Sequence, residues 1–168
     1  MIDIFFSLAL YAGIFSSSGL GYDPGIGVAG IYEQRWNRVG MAIEGVLTNK
    51  KKVVADNGYT YSTGGFGRIH GTPWLLYAEA GVLYGGYNSR WKKAALWPVA
   101  GIGGEHWNLR YAFREQDTEN ETESLTGRVV CNLSRHNQLR VDVGIVKFNG
   151  SEGRQTGYTA NILWGWEF

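Results

Sequence analysis

Apolar and polar residues alternate along almost the whole chain, and this period of two restricts the fold more than any other feature. Side chains of an extended strand point alternately to the two faces of a sheet, whereas a helical face repeats every 3.6 residues. In the segment 139–145, for example, leucine, valine and isoleucine hold the odd positions and arginine, aspartate and glycine the even ones. The pattern shows no sustained helical period, so the sequence predicts an all-β protein.

Ten segments carry this alternation and are predicted as strands. They cover residues 2–16, 25–36, 39–48, 59–70, 74–87, 94–104, 107–115, 123–134, 138–148 and 155–168. Tight connections at 37–38, 71–73, 104–106 and 135–137 alternate with long ones at 16–24, 49–58, 88–93, 116–122 and 149–154. An up-and-down antiparallel meander would gather the tight turns at one end and the long loops at the other. In segment 94–104, which contains Pro98, the alternation leaves the inward face undecided.

Length and composition exclude several classes of protein. A chain of 168 residues is expected to form one domain, spanning 1–168, and its formal net charge of +1 provides no field for a nucleic acid partner. The single cysteine, Cys131, cannot form an internal disulfide and does not match a metal-binding pattern. We therefore expect no metal, no cofactor and no nucleic acid.

The distribution of aromatic and small residues separates a membrane barrel from a soluble sandwich. Glycine and alanine are frequent on the charged faces, as a crowded interior requires, while aromatics gather at the ends of the apolar faces. Those beside tight turns are Trp36, Trp74 and Trp107, and those towards long loops are Tyr59, Tyr61, Tyr84 and Tyr87. Aromatic side chains concentrate at the two interfaces of a bilayer. The sequence thus predicts a closed antiparallel transmembrane β-barrel of ten strands, with eight strands as the alternative.

The closing octet, NILWGWEF, resembles the C-terminal signature of Gram-negative outer-membrane β-barrel proteins. Asn161, Trp166 and Phe168 match that signature, whereas Leu163 stands where it has a glycine and Gly165 lies two residues further on. The resemblance implies a bacterial outer-membrane location, with the lipid bilayer, lipopolysaccharide and the barrel-assembly machinery as partners. Export requires a leader, and residues 1–18 have two interpretations: a secretory signal, because the apolar stretch has the right length, or the first strand, which the alternation favours. The barrel is expected to be a monomer.

Charged residues on the inward parity are the candidate functional residues. They are Glu33, Arg35, Glu44, Arg68, Glu79, Arg110, Arg128, Arg140 and Asp142. Acids and bases nearly balance, which favours an internal ion-pair network that fills a small barrel over a narrow porin-like pore. A turn centred near His136 would pair residues whose numbers sum to about 272, setting Arg128 diagonal to Asp142. We therefore predict an ion pair between them, with Arg140 sharing the carboxylate.

A lipid A-modifying enzyme would need a nucleophile or base with a histidine near the outer leaflet, and the chain has three histidines to consider. His70, His106 and His136 each lie beside a predicted tight turn, at the end away from the outer leaflet, and none has a recognisable serine partner. Catalysis is therefore the least favoured of three interpretations, after a narrow pore. The favoured one is a structural or cell-surface role. The lysines at 50–52 are expected to be ordinary solvated loop charges, with contact to lipopolysaccharide phosphates as the alternative.

Overall fold

The alternating segments form ten antiparallel strands that close into a barrel. The computed structural model describes residues 4–18, 24–49, 59–71, 76–88, 95–117, 120–150 and 153–168. The strands are β1 (Ile4–Ser18), β2 (Gly25–Trp36), β3 (Val39–Thr48), β4 (Tyr59–His70), β5 (Leu76–Asn88), β6 (Ala95–Gly104), β7 (Trp107–Asp117), β8 (Asn120–Asn132), β9 (Asn137–Gly150) and β10 (Gly153–Glu167). Each pairs with its neighbours in sequence, and β10 pairs with β1. The predicted all-β, up-and-down, ten-stranded barrel is confirmed.

Closure of the barrel depends on the ladder between the first and last strands. Partners run from Ala9 opposite Glu167 to Ser18 opposite Tyr158, while the other edge of β1 pairs with β2. A wall closed in this way can satisfy its backbone groups without water, which is the requirement for a sheet in lipid. Across the described residues, no helix is long and apolar enough to cross a membrane.

The barrel wall is apolar outside and polar inside, the reverse of a soluble protein. Exposed side chains on its outer surface include Leu10, Ile14, Val28, Ile43, Leu47, Ile69, Val82, Ile102, Leu125, Val129, Val143, Ile145 and Ile162. On β9, Val143 is exposed while its neighbours Arg140 and Asp142 are buried. An apolar belt of this extent is stable only against an apolar medium, and it is the outer surface of a transmembrane β-barrel.

The tight turns gather at one end of the barrel, here called the short-turn end, together with the start of β1 and the end of β10. Between β2 and β3, Asn37 has a φ of 54°, in the left-handed region that asparagine tolerates better than most residues. The opposite end, called the loop end, receives the remaining connections. Of the predicted interface aromatics, Trp107 is exposed at the short-turn end and Tyr84 towards the loop end, while Trp74 lies outside the described residues.

Three predicted strand ranges, 25–36, 39–48 and 59–70, coincide with β2, β3 and β4. Two predicted long loops, 116–122 and 149–154, are shorter than expected. The strand β7 ends at Asp117 and β8 begins at Asn120, while β9 ends at Gly150 and β10 begins at Gly153. The polar composition of 116–122 and 149–154 had indicated loops. Strand residues beyond the apolar belt have water on both faces of the sheet. Polar side chains are therefore accepted there, and the backbone pairing continues.

Candidate functional site

The nine charged residues predicted to face the lumen lie inside the barrel or at its short-turn mouth. They come from seven strands, because inward parity recurs along each of β2, β3, β4, β5, β7, β8 and β9. The set is Glu33, Arg35, Glu44, Arg68, Glu79, Arg110, Arg128, Arg140 and Asp142. Arg35 lies at the mouth, with its guanidinium 5.9 Å from the centre of the Phe5 ring.

Eight of the nine form an unbroken series of ion pairs in which acid and base alternate, here called the ion-pair chain. The chain begins at Glu33, whose Oε1 accepts from Arg68 Nη1 at 2.6 Å. Arg68 Nε donates to Glu79 at 2.9 Å, and Glu79 also accepts from Arg110. The Glu79 side chain is fully buried, so two guanidinium groups replace the water that a carboxylate normally binds.

The second half of the ion-pair chain continues from Arg110 to Arg140. Glu44 accepts from Arg110 Nη1 and from Arg128 Nη1, each at 2.8 Å. Asp142 then accepts from Arg128 Nε at 3.0 Å and from Arg140 Nη2 at 2.5 Å. Four carboxylates therefore face four guanidinium groups, and the buried chain is electrically neutral.

Glu44 carries the ion-pair chain from one wall of the barrel to the other. It lies on β3 and Arg128 lies on β8, which is five strands from β3 in either direction around the closed barrel. Arg128 donates from Nη1 to Oε1 at 2.8 Å and from Nη2 to Oε2 at 3.1 Å. This two-point contact fixes the geometry of the pair, and the two charged side chains together span the lumen.

Aromatic rings cover three of the four guanidinium groups. Arg110 lies 4.0 Å from the ring centre of Phe66, Arg68 lies 4.3 Å from that of Tyr77, and Arg140 lies 5.3 Å from that of Tyr11. A cation over an aromatic face gains attraction from the ring quadrupole, most strongly where water is absent. The rings thereby shield the ion-pair chain from solvent.

Inward glycines make room for these rings. A Cβ added to Gly165 would lie 2.7 Å from Tyr11 Cε1, and one added to Gly81 would lie 2.8 Å from Phe66 Cα. Both distances are shorter than real side chains allow. The frequent glycine on the inward faces is therefore a packing requirement at these two positions.

Below the ion-pair chain, a cavity of about 430 Å³ opens at the short-turn end, and we call it the vestibule. Its polar lining includes Glu33, Arg35, His70, Tyr77 and Glu167, and Arg68 and Arg128 bound it on the side of the chain. The vestibule is open at its mouth and has polar side chains in its wall, so water can enter it. The ion-pair chain closes its inner end.

Apolar side chains also fill the lumen beside the ion-pair chain, where Leu163 lies opposite Arg140 and Ala42 opposite Glu33. One cluster contains Ala9, Tyr11, Phe15, Ala29, Ile31 and Leu163. The other contains Ala42, Phe66, Val99 and Ala112, with Leu83 and Trp97 packed against it. Sequence reasoning had not named these residues, although parity could have found them, since Phe66 shares the inward face with Arg68.

The predicted ion pair between Arg128 and Asp142 is present, and Arg140 shares the carboxylate. The predicted register was wrong, because Arg128 lies directly opposite Asp142 and not diagonal to it. The numbers of paired residues sum to 270 (128 + 142) and not to 272. The physical reason is the turn, in which Leu133 and Ser134 both donate to the Asn137 carbonyl and move the centre to Arg135.

The three histidines lie at the short-turn end, on separate turns or strand ends. The His70 ring is 5.5 Å from that of Tyr77 in the vestibule. His106 Nε2 is 4.0 Å from Glu105 Oε1, and His136 Nδ1 is 3.2 Å from the Glu167 carbonyl oxygen. The described part of the chain contains no group of three or more His, Cys, Asp or Glu side chains that could hold a metal ion.

The residues of the C-terminal signature lie on two faces of β10. Trp166 and Phe168 are exposed on the outer wall, and Asn161 belongs to the inward face. The Phe168 amide donates to the Leu8 carbonyl, so the last residue is held by β1. The basic segment 50–52 lies outside the described residues.

Comparison with known proteins identifies no family for the chain. No protein-family model matches the chain, and no curated protein matches it. Among solved structures, the crystal structure of Neisserial surface protein A (NspA) is similar, with a TM-score of 0.41 and 11% sequence identity over 98% of this chain and 97% of that one. At this identity the neighbour gives no basis for a function, which is therefore inferred from the geometry of the chain itself.

Proposed function

We propose that this chain is a small outer-membrane β-barrel of a Gram-negative bacterium, with a lumen sealed by its own side chains. The observation that carries the proposal is the ion-pair chain, which Glu44 extends from β3 to β8 across the barrel. A pore would leave charged groups free to exchange partners with passing ions. Here each carboxylate of the chain is held by at least one guanidinium, and Glu44, Glu79 and Asp142 by two.

The proposed role is structural or concerns interactions at the cell surface. A sealed lumen leaves the outer wall and the loop end as the surfaces through which the barrel acts. The apolar wall contacts the bilayer, and the loop end contacts lipopolysaccharide in the outer leaflet. During biogenesis, Trp166 and Phe168 on the outer wall, together with Asn161, are the residues that the barrel-assembly machinery would recognise.

Two measurements test this proposal. Fractionation of Gram-negative cells that express the chain behind an export leader should place it in the outer membrane, and purified protein in planar bilayers should give no discrete current steps. Recovery in the soluble periplasm would contradict the location. Reproducible single-channel steps from the same preparation would contradict the sealed lumen.

A narrow pore is the second candidate, and the vestibule favours it. The vestibule, about 430 Å³ in volume, reaches the ion-pair chain and provides part of the path that an ion would need. The two candidates differ in how much of the lumen is blocked, since the proposed seal also includes the apolar clusters around Leu163 and Phe66. Conductance that persists in protein with intact clusters would favour the pore.

A further inference from the structure

The outer wall contains an open groove that crosses strands β1 to β4 and has a volume of about 690 Å³. Its floor includes Gly30 on β2 and Gly45 on β3, which are partners in the β2–β3 ladder. Both glycines occupy outward positions, because Val28 and Leu47, two residues further along the same faces, are exposed. Two adjoining outward positions therefore lack side chains, and we call this depression the glycine groove.

The polar groups in the floor of the glycine groove already have partners. Gly30 pairs with Leu10 on one side and with Gly45 on the other. Gly45 in turn pairs with Thr63 on β4, and the Thr63 hydroxyl donates to the Glu44 carbonyl at 3.0 Å. Hydrocarbon can therefore cover this floor without leaving a backbone or hydroxyl group unpaired.

Large apolar side chains border the glycine groove on both sides. Towards the loop end, Val28 and Leu47 lie opposite each other on β2 and β3. Towards the short-turn end, Tyr32 and Ile43 are the next outward pair of the same strands. The floor between these pairs is recessed by the length of a side chain. A Cβ added to Gly45 would have no atom within 4 Å, so the space above the floor is open.

The floor of the glycine groove lies at the depth of the membrane interior. Gly30 is six residues from Trp36, and Gly45 is six from Val39, where β2 and β3 meet the tight turn between them. Six residues rise roughly 15 Å along the barrel axis, at ~3.4 Å each and a strand tilt of ~40°. The floor is therefore near the middle of a hydrocarbon core that is about 30 Å thick.

The two ends of the glycine groove lie at different depths. At one end is Tyr61, nine residues from His70 at the short-turn end of β4. The same geometry places Tyr61 roughly 23 Å along the axis, near the loop-end interface where tyrosine rings are favoured. At the other end is Leu10, which is only six residues from Ile4 and so lies roughly 15 Å along the axis. The groove thus descends from the loop-end interface into the hydrocarbon.

The shape of the glycine groove favours a single extended chain over a second barrel. The groove crosses three interstrand spacings of ~4.8 Å, or roughly 14 Å, from β1 to β4. Its floor is much narrower, because the Gly30–Gly45 pair lies between two pairs of large side chains. The convex wall of another barrel would rest on exposed side chains such as Val28, Leu47 and Ile43. It would leave an empty space above the floor, whereas an acyl chain can contact the glycines directly.

We propose that the glycine groove binds one acyl chain of a membrane lipid from the leaflet at the loop end. The chain enters beside Tyr61, lies on Gly45 and Gly30, and ends against Leu10. It contacts the floor and both sides of the groove, so it is held more tightly than the lipids that cover the rest of the wall. The site rests on the proposed membrane placement, and the experiment reports on that placement separately.

The test compares the wild-type protein with two matched variants, Gly45→Leu and Gly127→Leu. Both glycines are on the outer wall, and an added Cβ meets no atom within 4 Å at Gly45 and none closer than 3.9 Å at Gly127. Gly127 lies on β8, on the other side of the barrel from β3. Both leucines should therefore be accepted by the fold, which equal melting temperatures in one detergent would check, and only Gly45→Leu fills the groove.

The first readout is photo-crosslinking in detergent micelles, with a phosphatidylethanolamine that carries a diazirine in one acyl chain as the titrated probe. In the wild-type protein, labelling of β3 around Leu47 should saturate once each barrel holds one probe molecule. Labelling of Ile145 on β9, which is exposed on the outer wall, should rise in proportion to the probe. Gly45→Leu should abolish the saturable labelling and Gly127→Leu should keep it. Proportional labelling at both places in the wild-type protein would overturn the lipid site.

Two further measurements distinguish the other outcomes. In vesicles of phosphatidylethanolamine and phosphatidylglycerol, the same probe should label Ile145 in all three proteins. Absence of that label would overturn the membrane placement, whereas its presence with proportional labelling in micelles would overturn the glycine groove alone. Light scattering in the micelles should give a monomer for each protein. A wild-type dimer that Gly45→Leu converts to a monomer would show that a second copy of the chain fills the groove, and would overturn the lipid site.

Discussion

Two regions of the lumen are filled by different means on one alternating backbone. One is the ion-pair chain at the inner end of the vestibule, and the other is the pair of apolar clusters packed beside that chain. A charged interior is stable only while each charge keeps its partner, but an apolar interior is stable while its volume is filled. The two regions should therefore fail differently: the first through stranded charges, the second through cavities.

The largest effect on stability is expected from Glu44→Gln, which removes the centre of the ion-pair chain. The variant leaves Arg110 and Arg128 without their shared carboxylate in a buried site and should lower the free energy of unfolding by about 3–5 kcal/mol. Urea titration in detergent micelles measures this value. Glu33→Gln is the control, because its side chain is 38% exposed and ends the chain; a loss of about 0–1 kcal/mol is expected. Equal losses for both variants would break the comparison.

A cavity in the apolar clusters should cost somewhat less. Leu163 is fully buried, so Leu163→Ala should lower the free energy of unfolding by about 2–5 kcal/mol, with the value set by how far the neighbours relax. Ile162, its neighbour on the outer wall, is 59% exposed. Ile162→Ala should cost less than about 1 kcal/mol because detergent tails occupy the vacated volume. Reversal of this order would mean that β10 faces the other way.

Glycine substitutions sharpen the same contrast between the inner and outer faces. Gly81→Ala places a methyl group against the Phe66 backbone and should cost about 1–3 kcal/mol by overpacking. Gly45 has no atom within 4 Å of an added Cβ, so Gly45→Ala should be neutral or stabilising by up to about 1 kcal/mol. Melting temperatures in one detergent distinguish the two, and a destabilising Gly45→Ala would contradict the outward orientation.

The smallest change in the folded barrel is expected at Phe168, which is 73% exposed. Deleting it should change stability in detergent by about 0.5 kcal/mol or less, as for a surface residue. The amount of barrel inserted in cells should nevertheless fall strongly if the assembly machinery reads this residue. Normal outer-membrane levels of the deletion variant would show that Phe168 contacts lipid and is not needed for assembly.

The sequence predicted the strands of the barrel wall better than the side-chain contacts inside the lumen. Period-two alternation sets strand ranges and faces directly, which is why β2, β3 and β4 have the predicted bounds. Contacts across the lumen, such as Glu44 with Arg128, join strands far apart in sequence and depend on closure, shear and side-chain length together. Alternation specifies the face of a residue but not its height in the barrel or its partner on the opposite wall.

Local turn geometry limited the remaining predictions. A shift of the β8–β9 turn centre from His136 to Arg135 changes the sum of paired numbers by two, enough to make a diagonal pair a direct one. In β6, the pattern around Pro98 left the face undecided, and the structure places Trp97 and Val99 inside. Polar strand ends beyond the membrane, such as the last residues of β7 and the first of β8, have the composition of loops and are found only through their ladder.

The substitution Asp142→Asn tests most directly whether the ion-pair chain seals the lumen or selects ions. The substitution removes one buried carboxylate that Arg128 and Arg140 share, and both unfolding and conductance are measured on the same preparation. We expect a loss of about 3–5 kcal/mol in the free energy of unfolding, because two guanidinium groups lose their charge partner. We also expect planar bilayers to stay silent. Unchanged stability, together with discrete current steps of altered ion selectivity, would contradict the sealed lumen.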